Sequence, residues 1–177
     1  MKLNLGCGDK KVEGFINVDK YDVFAPDVVH DLETFPWPFE DNSVDEIQAI
    51  HVLEHLGQTT EEFMEILGEI HRICKPHAKL LIIVPHPYHY TFIGDPTHVR
   101  AITAEQFSLF DEKVYPGSPL RESSGLRFRV VELLLYPDLA YRKKLDAGEM
   151  TFSEVLELGR KQLNVIEESR MLIEVLK

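Results

Sequence analysis

Apolar positions in the first half of the chain fall into short runs separated by glycine, aspartate and proline, a pattern that predicts strands. Leu3-Asn4-Leu5 leads into Gly6-Cys7-Gly8, and Phe15–Asp19 follows Gly14. Asp27–His30 ends at Asp31, and Val44–Ile50 carries Asp45-Glu46 near its start. Lys79–Val84 is almost continuously apolar, as expected of a strand buried on both faces of a parallel sheet. Between the last two runs the period changes. Thr59 and Glu62 have capping-box spacing, Phe63, Met64, Ile66, Leu67, Ile70 and Ile73 follow at helical intervals, and Lys75-Pro76 stops the helix. Thr103 and Gln106 open a short helix with Phe107 and Phe110 inward. Phe128–Tyr136 and Met171–Leu176 are the last predicted strands. Between them Thr151 and Glu154 cap a helix bearing Val155, Leu156, Leu158 and Leu163.

Strands alternating with helices or loops indicate an α/β domain with a parallel sheet. No repeat, low-complexity tract or linker interrupts the chain, so residues 1–177 read as one domain with a helical insertion at about 139–165. Hydrophobic residues make up 44% of the sequence, enough for a core. Lysine and arginine number 19 against 30 aspartates and glutamates, a net charge of −11 that repels nucleic acid. Leu80–Pro85 is the longest apolar run and is too short to span a bilayer. No secretory leader is evident, and two cysteines, Cys7 and Cys74, form no disulfide framework. A cytoplasmic protein with reduced thiols and a small-molecule partner is the expectation.

The chemistry concentrates at the carboxyl ends of the first three strands, where ligands of open α/β sheets bind. Gly6-Cys7-Gly8 allows a sharp turn and close backbone approach to a ligand. Asp19 can accept both hydroxyls of a ribose. Asp31 can accept from an adenine amino group while Leu32 packs on the ring. The third glycine of a dinucleotide fingerprint is replaced by Lys11. Asp19 also follows Gly8 too soon for a phosphate-facing helix. A nucleoside ligand without phosphates fits better.

These segments resemble the class I methyltransferases, in particular the type 11 group. Leu3–Gly8 through Phe15–Asp19 is similar to the family's first motif. His30-Asp31-Leu32, Phe35–Phe39 and Asn42–Asp45 are similar to its third- and fourth-strand segments. Val52–His55 and Arg72–Pro76 running into Leu80–Pro85 are similar to the segments that follow. The resemblance covers roughly Met1–Pro85. It implies a Rossmann-like, mostly parallel seven-stranded sheet with helices on both faces and the last strand antiparallel. It also implies S-adenosyl-L-methionine as cofactor and S-adenosyl-L-homocysteine as product, with methyl transfer to an acceptor that the resemblance leaves unidentified. By the same resemblance Gly6, Cys7 and Gly8 contact the methionine part through the backbone, Asp19 the ribose, Asp31 and Leu32 the adenine, and His51 borders the methionine end. Relatives often carry helices upstream of the first strand, over the cofactor. The insertion is therefore expected to form a lid near that edge or a homodimer contact, or else to cover the far end of the sheet.

Of eight histidines, His30 and His71 read as structural and His77 as a turn residue. His51, His55, His86, His89 and His98 follow the fourth and fifth strands, on the acceptor side. His86 and His89 are the candidate catalytic bases, because histidine titrates near neutral pH. Tyr88, His98 and Arg100 are the candidate acceptor contacts, with Arg100 suited to an acidic group. Two rivals remain. His51-Val52-Leu53-Glu54-His55 also spells an inverted zinc-hydrolase motif, which needs both histidines on one helix. A methyltransferase fold can also serve as a catalytically inactive binding or regulatory module. His86, His89, Asp95 and His98 could hold a metal, but a polar acceptor pocket is the preferred reading and no metal is expected.

Overall fold

The computed structural model describes every residue, Met1–Lys177. In chain order the strands are β1 (Lys2–Leu5), β2 (Ile16–Asp19), β3 (Val28–Val29), β4 (Val44–Ile50), β5 (Cys74–Pro85), β6 (Phe128–Pro137) and β7 (Ile166–Val175). The helices are α1 (Thr60–Ile73), α2 (Tyr90–Ile93), α3 (Ala104–Ser108), α4 (Pro119–Ser124), α5 (Leu139–Asp146) and α6 (Phe152–Gly159). All seven strands form one sheet in the order β3-β2-β1-β4-β5-β7-β6. Every pairing is parallel except those of β7 with β5 and β6. The chain winds outward from β1 in one direction through β2 and β3, then crosses to β4 and winds the other way. This reversal opens a crevice at the carboxyl ends of β1 and β4.

The strand lengths depart from the sequence reading at three places, one of them β7, which opens at Ile166 and not at Met171. β3 shrinks to two residues. β5 starts at Cys74, where the helix ends, rather than at Lys79. The polar segment Lys75-Pro76-His77 hides its first turns, because a bulge steps the register from Val44↔Cys74 to Glu46↔Lys79. All three capping boxes form, at Thr59–Glu62, Thr103–Gln106 and Thr151–Glu154.

The sheet buries one face. Leu3, Leu5, Ile47, Ala49, Leu80, Ile82, Met171 and Ile173 meet Phe63, Ile66, Leu67 and Ile70 of α1 and Phe107 of α3 in one apolar cluster. The opposite face carries an ionic row. Lys2, Glu46, Lys79, Glu174 and Arg129 are successive register partners from β1 to β6, alternating in sign. Lys2 pairs with Glu46 at 2.6 Å, and Lys79 with Glu174 at 3.3 Å. Cover on both faces was expected. The links between β1 and β4 contain only a short 3-10 turn, Asp22–Phe24, so no α-helix from them reaches this side. Cross-strand ion pairs stabilise a face that water wets.

The insertion forms α5 and α6. Val155, Val165 and Ile166, with Leu135, Tyr141, Leu145, Met150, Leu156 and Leu158 around them, make a separate small core at the far end of β6 and β7. The far-end placement is thus the observed one, and the lid expectation is corrected below. No helix is long and apolar enough to cross a membrane.

Phe128 is fully buried, with the rings of His71, Phe107 and Phe110 edge-on at 5.6, 6.0 and 5.6 Å. Phe128→Ala should cost about 3–5 kcal/mol in urea unfolding, through lost contacts and a cavity. A loss under about 1 kcal/mol would contradict this packing.

Candidate functional site

The turn after β1 begins at Gly6, whose φ is +59°. A Cβ there would lie 2.5 Å from Cγ2 of Val52, so only glycine lets β1 approach the end of β4 this closely. Cys7 N–H donates to the Val18 carbonyl, carrying the β1–β2 ladder into the loop. Burial, and then the Asp19 charge, push the Cys7 thiol up, so it is present as a neutral thiol. Asp19 closes the loop from the other side. Its Oδ2 accepts from Gly8 N–H at 2.8 Å and its Oδ1 from Tyr21 N–H at 2.9 Å.

Asp31 and Leu32 are positioned from further away. The indole N–H of Trp37 donates to the Leu32 carbonyl at 3.1 Å. Trp37 is held in turn by Glu69 Oε2, which accepts its backbone N–H, and by Arg72, which donates to its carbonyl. Glu69 and Arg72 both belong to α1. The capped helix thereby holds the loop after β3 against the sheet.

These pieces surround one cleft of about 410 Å³ at the carboxyl ends of β1, β2 and β4. That volume is within the ordinary range for small-molecule sites. Gly6, Asp19, Asp31, Leu32 and His51 all line it. Tyr21, Phe24, His30, His55 and Thr97 also line it and were not assigned from the sequence. Tyr21 and Phe24 meet edge-to-face at 6.3 Å and remain exposed, which gives the cleft an aromatic rim. The signal was present as two aromatics shortly after Asp19, but nothing in the pattern says that the turn folds them back over the cleft. His30 was read as structural, yet it borders the cleft with its Nε2 buried and without a hydrogen-bond partner.

His51 follows β4 with φ +54°, a left-handed conformation that a non-glycine residue adopts at a cost. Its Nδ1 lies 3.4 Å from Glu54 and its Nε2 3.2 Å from Glu168. Glu54 first, then Glu168, hold the imidazole above the usual histidine range. The left-handed turn breaks the backbone between His51 and the 3-10 turn Leu53–His55, so the two histidines do not share a helix face. The inverted zinc-hydrolase geometry is therefore absent from this segment.

A second hollow adjoins the cleft. His51, Glu54, His55, Asp95, His98, Glu167 and Glu168 line it, and His51 and His55 belong to both. The Glu54 carbonyl accepts from Val99 and Arg100 N–H, docking residues 95–100 here and bringing His98 over His55 with ring centres 4.6 Å apart.

Cys7 and Gly8, expected at the cofactor, do not line the cleft; three further expected site residues lie elsewhere, and His89 is sealed. His86 and Tyr88 face a depression lined by Ala101, Thr103, Leu133 and Leu135, on the side of α3 and β6. Burial, then His89, push the His86 imidazole down. His89 is fully buried, caps α2, and contacts Thr91 Oγ1 at 2.7 Å and Asp138 Oδ2 at 3.4 Å. It locks the loop after β5 to the end of β6 and is shielded from any acceptor. Arg100 donates to the carbonyls of Gly57 and Thr59 at 2.9 Å and stacks on Phe63 at 4.5 Å. It braces the approach to α1 instead of facing the hollow. No residue of 139–165 lines the cleft, so the insertion is not its lid.

Comparison with known proteins bears on the fold. A family model described as a methyltransferase domain, of the type 11 family, matches residues 11–82. No curated protein matches the chain by sequence. Among solved structures, a SAM-dependent methyltransferase from Archaeoglobus fulgidus aligns with a TM-score of 0.67 at 20% identity, over 98% of this chain and 85% of that one. Phosphoethanolamine N-methyltransferase 2 of Haemonchus contortus, solved with S-adenosyl-L-methionine, aligns with a TM-score of 0.55 at 14% identity, over 99% of this chain and 48% of that one. The cyclase SpnF aligns with a TM-score of 0.55 at 16% identity, over 99% of this chain and 75% of that one. Residues 11–82 are thus similar to the type 11 methyltransferase domain, and the fold of the whole chain is the one seen in the SAM-dependent methyltransferase from Archaeoglobus fulgidus.

Proposed function

We propose that the chain is an S-adenosyl-L-methionine-dependent methyltransferase acting on a small-molecule acceptor. The observation that carries this reading is the single cleft in which Gly6, Asp19, Asp31, Leu32 and His51 converge. In it the adenine packs on Leu32 beside Asp31, and Tyr21 and Phe24 border it. The ribose hydroxyls reach Asp19, whose carboxylate oxygens each keep a lone pair beyond the N–H they already accept. The methionine end points toward His51, whose raised pKa favours the protonated form that suits the amino acid's carboxylate.

The acceptor enters through the second hollow, which shares His51 and His55 with the cleft. Its lone pair attacks the methyl carbon as the carbon–sulfur bond breaks and that electron pair returns to sulfur, leaving S-adenosyl-L-homocysteine. The protein positions the two molecules and excludes water. Any proton lost by the acceptor passes to the groups of this hollow, not to His86 or His89, which face elsewhere. The excess of carboxylates on the chain and around this hollow speaks against nucleic acid as the acceptor.

Calorimetry should show binding of S-adenosyl-L-homocysteine and none of NAD. Asp19→Ala should weaken binding by about 1–3 kcal/mol, because a ribose hydroxyl loses its acceptor. NAD binding without a response to either adenosyl ligand would refute the reading. Tight adenosyl binding with no S-adenosyl-L-homocysteine formed from any acceptor would favour a non-catalytic binding module instead.

His51 gives a pH test. Its pKa is raised in the folded state, so its contribution to stability is complete below about 6.5 and fades as pH rises through the folded value. NMR in buffer containing EDTA should find its imidazole titrating above about 6.5, and Glu54→Gln should lower that value. Titration at or below about 6.5 in the unmutated protein would contradict the ion contacts described.

A further inference from the structure

Glu54 is 1% exposed, and neither of its carboxylate oxygens has a hydrogen-bond partner. His51 lies near one of them at 3.4 Å, without hydrogen-bond geometry. Apart from this ion contact the carboxylate is unpartnered, and burying it so is costly, by several kcal/mol in protein interiors, unless a further cation meets it. The side chain borders the second hollow, so a cation there has access to it.

Two histidines complete a ligand set. One donor atom from each of Glu54, His55 and His98 lies within 4.8 Å of the others. Their hydrogen bonds fix the tautomers. His98 Nδ1 is 2.9 Å from the Phe92 carbonyl, which can only accept, so Nδ1 carries the proton and Nε2 keeps its lone pair. Thr97 Oγ1 donates to Asp95 Oδ1 at 2.6 Å, since a carboxylate only accepts. The same hydroxyl therefore accepts from His55 Nδ1–H at 2.9 Å, and His55 Nε2 also keeps its lone pair. Metal-ligating histidines are typically oriented this way, with the second ring nitrogen donating to a carbonyl, or to a carboxylate or water. Asp95 Oδ2 stands 3.8 Å from His98 Nε2, adding negative charge beside the set.

We propose that Glu54, His55 and His98 bind one divalent transition-metal ion at the border between the cofactor cleft and the acceptor hollow. Two imidazoles and one carboxylate suit zinc or iron(II) and leave coordination positions open. Ligands on one such ion sit roughly 3–4 Å apart when each bond is about 2.0–2.2 Å, so the three side chains close on it with modest movement. The open positions face the hollow, where an oxygen of the acceptor would bind. The metal site rests on its own geometry, and only this last step rests on the methyl-transfer reading.

The test uses the full chain stripped with a chelator and titrated with Co(II), followed by visible absorption and calorimetry. The expected result is a one-to-one complex with a d–d band that one equivalent of Zn(II) displaces. Glu54→Gln and His98→Ala, checked for folding by circular dichroism, should lose that complex. Thr97→Ala removes the hydroxyl that accepts from His55 Nδ1 and donates to Asp95, leaves the Thr97 carbonyl 3.3 Å from Nδ1, and should weaken binding by about 10–100-fold. Absence of one-to-one binding by the unmutated protein, or an unchanged complex in folded Glu54→Gln or His98→Ala, overturns the proposal. A separate titration with S-adenosyl-L-homocysteine keeps the two readings apart. Metal binding without adenosyl binding refutes the function and leaves the site, and the reverse refutes the site alone.

Discussion

Asp19 sits at the end of β2 with one carboxylate oxygen on the N–H of Gly8 and the other on the N–H of Tyr21. It thus fastens the glycine turn after β1 and the aromatic turn after β2 to the same point. Everything proposed for the cleft depends on that coupling. The glycine turn sets how near a ligand comes to the backbone, and the aromatic turn sets what borders the base. At 8% exposed, the carboxylate works in a partly dry setting, where its hydrogen bonds are stronger than in water. Gly6 adds a steric condition, because Val52 occupies the space a side chain would need.

The remaining walls depend on elements farther off. Helix α1 carries Glu69 and Arg72, whose bonds to Trp37 hold Leu32 in place. The Glu54 carbonyl docks residues 95–100 and so places Thr97 in the cleft and His98 in the hollow. A short chain with loops in place of helices between β1 and β4 still builds a defined crevice, because polar contacts position loops that the core alone does not. The ladder from Lys2 to Arg129 shows the corresponding economy on the opposite face of the sheet.

Much of this was legible in the sequence where local rules decide it. The three capping boxes, the glycine turn and the strand-end aspartates each depend on neighbours a few residues away. The seven-stranded sheet with its antiparallel last strand followed from the family resemblance, not from spacing alone. What failed was direction. His86, Tyr88 and His89 follow β5 as expected, but the first two face the depression beside α3 and β6, and contacts with Thr91 and Asp138 hold His89 away from the cleft. Arg100 was available for an acidic ligand until the carbonyls of Gly57 and Thr59 took its donors. Tyr21, Phe24 and the pairing of His55 with His98 were hidden because they depend on how loops fold back, which periodicity does not encode. The uneven cover of the sheet was half visible, in the short spacing between Gly8 and Asp19.

The central claim is that one cleft holds an adenosyl ligand end to end, from Leu32 through Asp19 to His51. A crystal structure of the chain grown with S-adenosyl-L-homocysteine tests it most directly. The account predicts density with the adenine on Leu32, the ribose hydroxyls on Asp19 and the homocysteine end at His51 beside the second hollow. Density for the ligand in another depression, or in this cleft with its ribose away from Asp19, would contradict it.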